Sequence, residues 1–275
     1  MTGDIMIKNM IKEMIKWIMK ILPRSLSGYT LRVLLEESYF CRKSGFTELI
    51  ITEGVLRSHK ENGFSPAAII DCGAYIGEWT RMIKNIYPSS KVLMIEANPE
   101  KEINLQAVQG EYPQTVDYAV SLLGAENRTN VKFYKMESGS SILEEQSSAP
   151  RDILLLPMKT LDEIADEKGF SDAAFIKIDV QGYEIEVLKG ATKILKRAEL
   201  VLLEVSFIQY NKGSPLIGDV VNFMSDHGFA VYDIGDLARW GTDSTLVQGD
   251  LFFIKQDSTR RPKYFDFKLS VPNKT

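Results

Sequence analysis

Cysteine and histidine are scarce in this chain, and neither sign of charge dominates. Of 275 residues two are Cys and two are His, and 33 Lys+Arg stand against 37 Asp+Glu, a formal net charge of −4. Cys41 and Cys72 lack metal-ligand spacing and make no disulfide framework, and no cleavable signal is read at the start, so a reducing cytoplasm with free thiols is expected. Cys72 reads as a small buried apolar residue. His59, in the polar stretch His59-Lys-Glu-Asn-Gly63, reads as a surface residue. His227, just before Gly228, reads as a dipole-favoured residue at a helix C-terminus. The charge balance gives no bulk electrostatic case for a nucleic-acid partner. No internal repeat is visible. With 44% apolar and 25% charged residues, the composition is that of a soluble α/β protein of one domain with additions.

A third glycine is missing where a dinucleotide site would need one. The run from Ala67 to Thr80 reads Ala-Ala-Ile-Ile-Asp71-Cys-Gly73-Ala-Tyr-Ile-Gly77-Glu-Trp-Thr. A short apolar run, Ala67 to Ile70, predicts a strand buried on both faces, with Asp71 at its carboxyl end, where open sheets place their ligands. Gly73 and Gly77 permit positive φ and close approach of a ligand, and a helical pattern (Trp79, Met82, Ile83, Ile86) follows. The order Asp-x-Gly-x-x-x-Gly is not the G-x-G-x-x-G that seats a pyrophosphate, and its acid would repel one. That argues against a nicotinamide-dependent oxidoreductase, the alternative enzyme on such a sheet. The loop resembles the first motif of Rossmann-like S-adenosyl-L-methionine methyltransferases. On that reading Asp71, Gly73, Ala74, Tyr75 and Gly77 form a cofactor loop, with Asp71 toward the methionyl amine. An ordinary strand-to-helix turn with incidental glycines is the alternative.

Around this centre the chain divides into an N-terminal helical extension (1–63), a main domain (64–256) and a polar tail (257–275). Residues 5–22 predict an amphipathic helix with Ile7, Met10, Ile11, Met14, Ile15 and Ile18 on one stripe and lysines opposite. Lysines every four residues exclude a membrane span, which needs roughly 20 mostly apolar residues. The basic face with Trp17 suits peripheral contact at the inner membrane face, but packing on the domain or against a second subunit is the preferred reading. Leu31–Phe40 and Phe46–Arg57 read as helical. Lys91–Glu96 predicts a second strand, whose terminal Glu96 lies about 20 residues beyond the glycines, where an acid can accept ribose hydroxyls. Thr115–Val120 predicts a third, from which Asp117 reaches the adenine amine and the Ala119 backbone the ring. Val131–Met136 and Ile153–Lys159 are strand candidates, and Thr160-Leu-Asp-Glu163 has capping-box spacing. Leu200–Val205, Phe229–Ile234 and Leu251–Ile254 complete the strands, with 235–250 as a polar loop that is a candidate lid.

Ala174-Phe-Ile-Lys-Ile-Asp179-Val-Gln181-Gly182-Tyr-Glu184 repeats the strand–acid–glycine–helix logic. Together with Asp71-Cys-Gly-Ala-Tyr-Ile-Gly77, Glu96-Ala-Asn-Pro99, Thr160-Leu-Asp162, Val187-Leu-Lys-Gly-Ala191 and Glu204, it resembles the FkbM family of S-adenosylmethionine-dependent methyltransferases over about residues 69–232. Two positions depart from that pattern: Ala97 where proline is frequent, and Gln181 where many members carry glutamate. The resemblance implies a Rossmann-like class I fold with a seven-stranded, mostly parallel sheet and an antiparallel seventh strand between five and six. It implies S-adenosyl-L-methionine as cofactor, with Asn98 joining the cofactor residues, and O-methylation of a sugar, glycan or natural-product hydroxyl. Asp179 and Glu204 end adjacent strands, so one of them, Asp179 by preference, serves as general base. The rival is a Mg²⁺ held by the pair with help from Glu184; the metal-free version is preferred. Gln181, Tyr183, Ser206 and Tyr210 are the acceptor-binding candidates. A non-catalytic adaptor that keeps the fold is the third class, opposed by intact Asp71, Gly73, Gly77 and Glu96.

Overall fold

The computed structural model describes residues 41–43, 46–49, 51–136, 139–146, 151–240 and 243–261, with side chains from 51 onward. Short apolar runs bounded by turn residues form the parallel strands β3 (Ala68–Cys72), β4 (Lys91–Glu96), β5 (Val116–Val120), β9 (Phe175–Ile178) and β10 (Leu200–Ser206). They pair in the order β5-β4-β3-β9-β10. β11 (Phe229–Trp240) and β12 (Leu246–Lys255) extend this sheet, β12 lying antiparallel to both β10 and β11. The seven strands thus reproduce the expected order, with the last strand reversed between the fifth and sixth. Beyond β11 the sheet continues through β2 (Phe46–Leu49) and β1 (Cys41–Lys43), an antiparallel pair.

Period-two alternation sends neighbouring residues to opposite faces. Ile70, Leu93 and Ile95 pack on one side under α4 (Leu161–Lys168), α5 (Glu184–Lys189), α6 (Thr192–Arg197) and α7 (Ile217–Asp226). Ile69, Val92 and Met94 pack on the other under α1 (Thr52–Glu61), α2 (Glu78–Ile86) and α3 (Glu102–Glu111). All six of these strand residues are essentially inaccessible, as a parallel sheet covered on both faces requires. α4 begins where the capping spacing predicts, Thr160 Oγ1 accepting the Glu163 N–H at 3.2 Å. A second sheet of β6 (Leu122–Leu123), β8 (Asp152–Lys159) and β7 (Arg128–Lys135) closes around Leu122, Phe133 and Met158.

Several expectations are corrected. Phe46–Arg57 is not one helix but β2 followed by α1. Residues 235–250 are not a polar loop: β11 runs to Trp240 and β12 starts at Leu246. Their polarity has a local cause. The Asp236 carboxylate accepts the backbone N–H groups of Ile51 and Thr52 at the start of α1 (2.5 and 2.6 Å), and Thr52 Oγ1 donates to Asp250 at 2.9 Å. Asp236, partly buried, therefore caps the start of α1, and Asp250, also partly buried, holds the Thr52 hydroxyl; neither is a solvated loop residue. His59 is likewise buried, its ring 5.1 Å from Tyr232 and 5.4 Å from Phe252; His227 is exposed, as expected. The predicted helix over 5–22 lies outside the described residues. Among the described residues no helix is long and apolar enough to cross a membrane.

Candidate active site

The carboxyl ends of β3, β4, β9 and β10 converge, and two loops meet there. Gly73 follows β3 at φ +76°, and a Cβ on it would lie 1.8 Å from the carbonyl oxygen of Asp179. Only glycine lets the loops after β3 and β9 touch in this way. The N–H groups of Gly73 and Ala74 donate to Ile95 O (2.9 and 3.1 Å), tying the first loop to β4. Between the loops sits Lys177, buried, its Nζ 3.3 Å from Asp71 Oδ1, 3.2 Å from Asp179 Oδ2 and 3.1 Å from Gly73 O. Burial alone would lower the Lys177 pKa, but Asp179 and Asp71 outweigh it and the ammonium is held.

Above this ion cluster opens a cavity of about 940 Å³. Glu96 forms part of its wall, with Oε2 accepting the Tyr75 N–H and Oε1 the Asn98 N–H, both at 2.8 Å. Burial raises its pKa, opposed by those backbone donors. On the opposite side Gln181, held at φ +56°, places its amide between two acids. Its Nε2 donates to Asp179 Oδ1 at 2.9 Å and to Glu204 Oε2 at 2.8 Å. The Tyr210 hydroxyl donates to Gln181 Oε1 at 2.7 Å and accepts from Gln248 Nε2 at 2.7 Å, which fixes which way the amide faces. Glu204 has its pKa pushed well above the usual carboxylate range, by burial first and then by Asp179 and Glu184.

Of the cofactor candidates, Gly73, Tyr75 and Glu96 line the cavity. Asp71 does not: it is fully buried beneath the loop, accepting from Thr80 Oγ1 at 2.8 Å and facing Lys177. Gly77 supports α2 instead, where a Cβ would press within 2.6 Å of Val108. Ala74 is buried in the core, and Asn98 caps the turn after β4 by accepting the Glu100 N–H. Asp117 and Ala119 are also off the cavity, because β5 continues to Val120 and the wall is made by Ser121, Leu122 and Leu123. Asp117 instead pairs with Lys168 at 3.1 Å. Among the catalytic and acceptor candidates, Asp179, Glu204, Gln181, Tyr183 and Tyr210 line the cavity and Glu184 and Ser206 do not.

A family model described as the methyltransferase FkbM domain matches residues 71–231, more than half of the chain. The chain belongs to the FkbM methyltransferase family. A curated relative, the AMB antimetabolite synthetase AmbE of Pseudomonas aeruginosa, is 25% identical over an alignment of 214 positions that covers 64% of this chain and 10% of that protein. The chain thus spans about a tenth of the length of the relative it matches. Among solved structures it is similar to a methyltransferase FkbM from Methylobacillus flagellatus (20% identity, 68% of this chain and 44% of that one, TM-score 0.47). It is also similar to the 1,6-didemethyltoxoflavin-N1-methyltransferase of Burkholderia thailandensis (9% identity, 84% and 87%, TM-score 0.43).

As an FkbM methyltransferase it uses S-adenosyl-L-methionine, and the residues present fit that cofactor. Glu96 has both oxygens fixed by backbone donors at the end of β4, and the Gly73 loop offers a cradle beside it. The sequence reading passed over Lys177, although it is the only cation in the strand-and-loop stretch that carries Asp179. It also passed over Gln248 and Trp240, because their strands were read as a loop. The version of the site with Mg²⁺ loses its third carboxylate. Glu184 Oε1 accepts the N–H groups of Val180 (3.1 Å) and Gly182 (3.0 Å), and burial raises its pKa to about 7. Among the described residues no cluster of three His, Cys, Asp or Glu could hold a metal.

Proposed function

We propose that this FkbM methyltransferase O-methylates a hydroxyl of a sugar, glycan or related natural product. The observation that carries the reading is the carboxylate pair, Asp179 and Glu204, joined through the Gln181 amide on the wall of the cavity. A neutral hydroxyl is a poor nucleophile and must lose its proton as the new bond forms, so a positioned carboxylate is useful to it. Glu204 suits the base better than Asp179. Burial and the neighbouring acids Asp179 and Glu184 make it more basic than an ordinary carboxylate, whereas Asp179 is engaged by Lys177 as well as by Gln181. Bound S-adenosyl-L-methionine supplies an electrophilic methyl carbon on a cationic sulfur. As that methyl carbon is transferred to the acceptor oxygen and sulfur keeps its bonding pair, Glu204 would take the proton the hydroxyl gives up. Gln181 and Tyr210 hold Glu204 in place through this step. Glu96, with Gly73 and Tyr75, holds the adenosine side. Tyr183 and Trp240 offer aromatic rings to the apolar faces of a sugar.

Labelled methyl transfer to fractionated cell-extract glycans tests the reading. We expect label in an alkali-stable ether. Glu204→Gln should cut incorporation about a hundredfold or more, on the usual scale for a lost base, while S-adenosylhomocysteine affinity stays within about twofold. Label recovered on nitrogen, or near-normal turnover in Glu204→Gln, would overturn it. The segment 5–22 is proposed to bring the enzyme to a membrane surface or to a second copy; removing it should abolish acidic-liposome binding or lower the oligomer mass without loss of cofactor binding.

A further inference from the structure

Which acceptors enter is set by charge as well as by shape. Among the described residues no Lys, Arg or His lines the cavity, whereas Glu145, Asp179, Glu204 and Asp243 line its acceptor side. The undescribed stretches adjoining these residues in sequence, Glu137-Ser138, 147–150 and Gly241-Thr242, contain no basic residue. Among the described residues, the cations beside it are held elsewhere: Lys177 by Asp71 and Asp179, Arg151 by Glu145 at 3.4 Å, Arg239 by the Ser244 carbonyl at 3.0 Å, and Lys101 over the Tyr75 ring at 4.6 Å. Backbone donors are the other means of holding an anion, above all where a loop enters a helix. Here the N–H groups of Val180 and Gly182 already serve the carboxylate of Glu184, so that cradle is filled from within the chain. Gln181, the amide between the two acids, spends its N–H groups on Asp179 and Glu204.

We infer that the acceptor presents an uncharged or amine-bearing moiety to this cavity, and that phosphorylated, nucleotide-activated or carboxylated sugars are excluded. This rests on the O-methyltransferase reading and narrows it. A phosphate brought beside two fixed carboxylates meets like charge in a partly desolvated site, and among the described lining residues it meets no cation to offset that charge. An ammonium or a neutral hydroxyl face meets acceptors and the Trp240 ring, which favours cations. In a reaction sequence, the methylation therefore comes after the activating phosphate has been lost: a glycosyl transfer, or another step releasing phosphate, supplies the substrate.

Two measurements test this on the full-length enzyme saturated with S-adenosylhomocysteine. Saturation of the complex is itself the check on the methyltransferase reading. Saturation-transfer NMR then compares methyl α-glucopyranoside, glucosamine and glucose 6-phosphate. The first two should bind, and the phosphate at least about tenfold more weakly. Equal or tighter binding of glucose 6-phosphate overturns the inference. Independently, the Trp240 fluorescence, isolated as the difference between wild type and Trp240→Phe, is quenched with caesium and with iodide, each normalised to free tryptophanamide. Caesium should be the steeper quencher by about twofold or more, and iodide equal to it or steeper overturns the inference. If none of the three sugars binds, the glycan reading fails while the ion order still decides charge selection.

Discussion

Glu96 and Glu204 both stand at strand ends on the wall of one cavity, and their partners separate their roles. Glu96 accepts two backbone N–H groups and so is held as an acceptor in a fixed orientation. Glu204 accepts a neutral amide, and burial with the acids around it raises its proton affinity above that of an ordinary carboxylate. Losing a charge-assisted hydrogen bond in such a site costs about 1.5–3 kcal/mol, so Glu96→Ala should weaken S-adenosylhomocysteine binding at least about tenfold. Calorimetry gives the affinity. Glu96→Gln separates two contributions: it keeps an oxygen for one backbone donor and loses the charge, and should fall between alanine and wild type. An unchanged affinity for the alanine variant removes Glu96 from the cofactor site.

At the scale of elements, the two loops after β3 and β9 depend on each other. Gly73→Ala would put a methyl group 1.8 Å from Asp179 O at a φ that strains any side chain. The loops must then part, and with them the carbonyl that Lys177 uses. We expect Gly73→Ala to retain its far-ultraviolet circular dichroism and to lose cofactor binding by about tenfold or more; normal affinity would show that the contact does not shape the site. Such loops were legible in the sequence because apolar runs ending in Asp71 and Asp179, with glycines next, have few structural solutions. The place of Glu96 on the cavity wall was legible from its distance to those glycines. The end of β5 at Val120 was read as found, but Asp117 lies off the cavity because its carboxylate is taken by Lys168 and Gln109 and the wall is built by Ser121, Leu122 and Leu123 beyond the strand. β11 and β12 were missed over 235–250 because the acids there, Asp236 and Asp250, are satisfied by Thr52 and Ile51, which lie 184 and more positions away. The turn of Asp71 toward Lys177 and not toward the cavity was similarly hidden, since it depends on which of several acids faces that buried lysine.

For the whole molecule, the buried acids set how stability responds to pH. Glu184 and Asp250 are each pushed up to about 7, burial being the main cause in both, and Glu204 shifts the same way. In the unfolded chain such groups titrate near the ordinary carboxylate values of about 4. Between the two values the folded chain holds protons that the unfolded chain has lost, so stability falls as pH rises through this window. Their favourable contribution is complete below about pH 4 and gone above about pH 7. Exposed Glu111, Glu163 and Asp166 run the other way, lowered by hydrogen bonds to Arg81, Asn127 and Ser171 respectively; what they contribute is lost as pH falls below the carboxylate range, and solvent keeps it small. Lys177 stays charged throughout and adds no slope. The predicted profile therefore peaks on the acid side of neutrality and declines toward pH 8. Urea denaturation at several pH values should show this decline in wild type. Glu184→Gln with Asp250→Asn keeps a carbonyl acceptor for Val180, Gly182 and Thr52 while removing two titrations, so the decline should be much shallower and the variant gain most at pH 8. A wild-type curve that rises from pH 5 to 8, or a variant with the same slope, would mean that these acids are not buried in the native protein as they are in this fold.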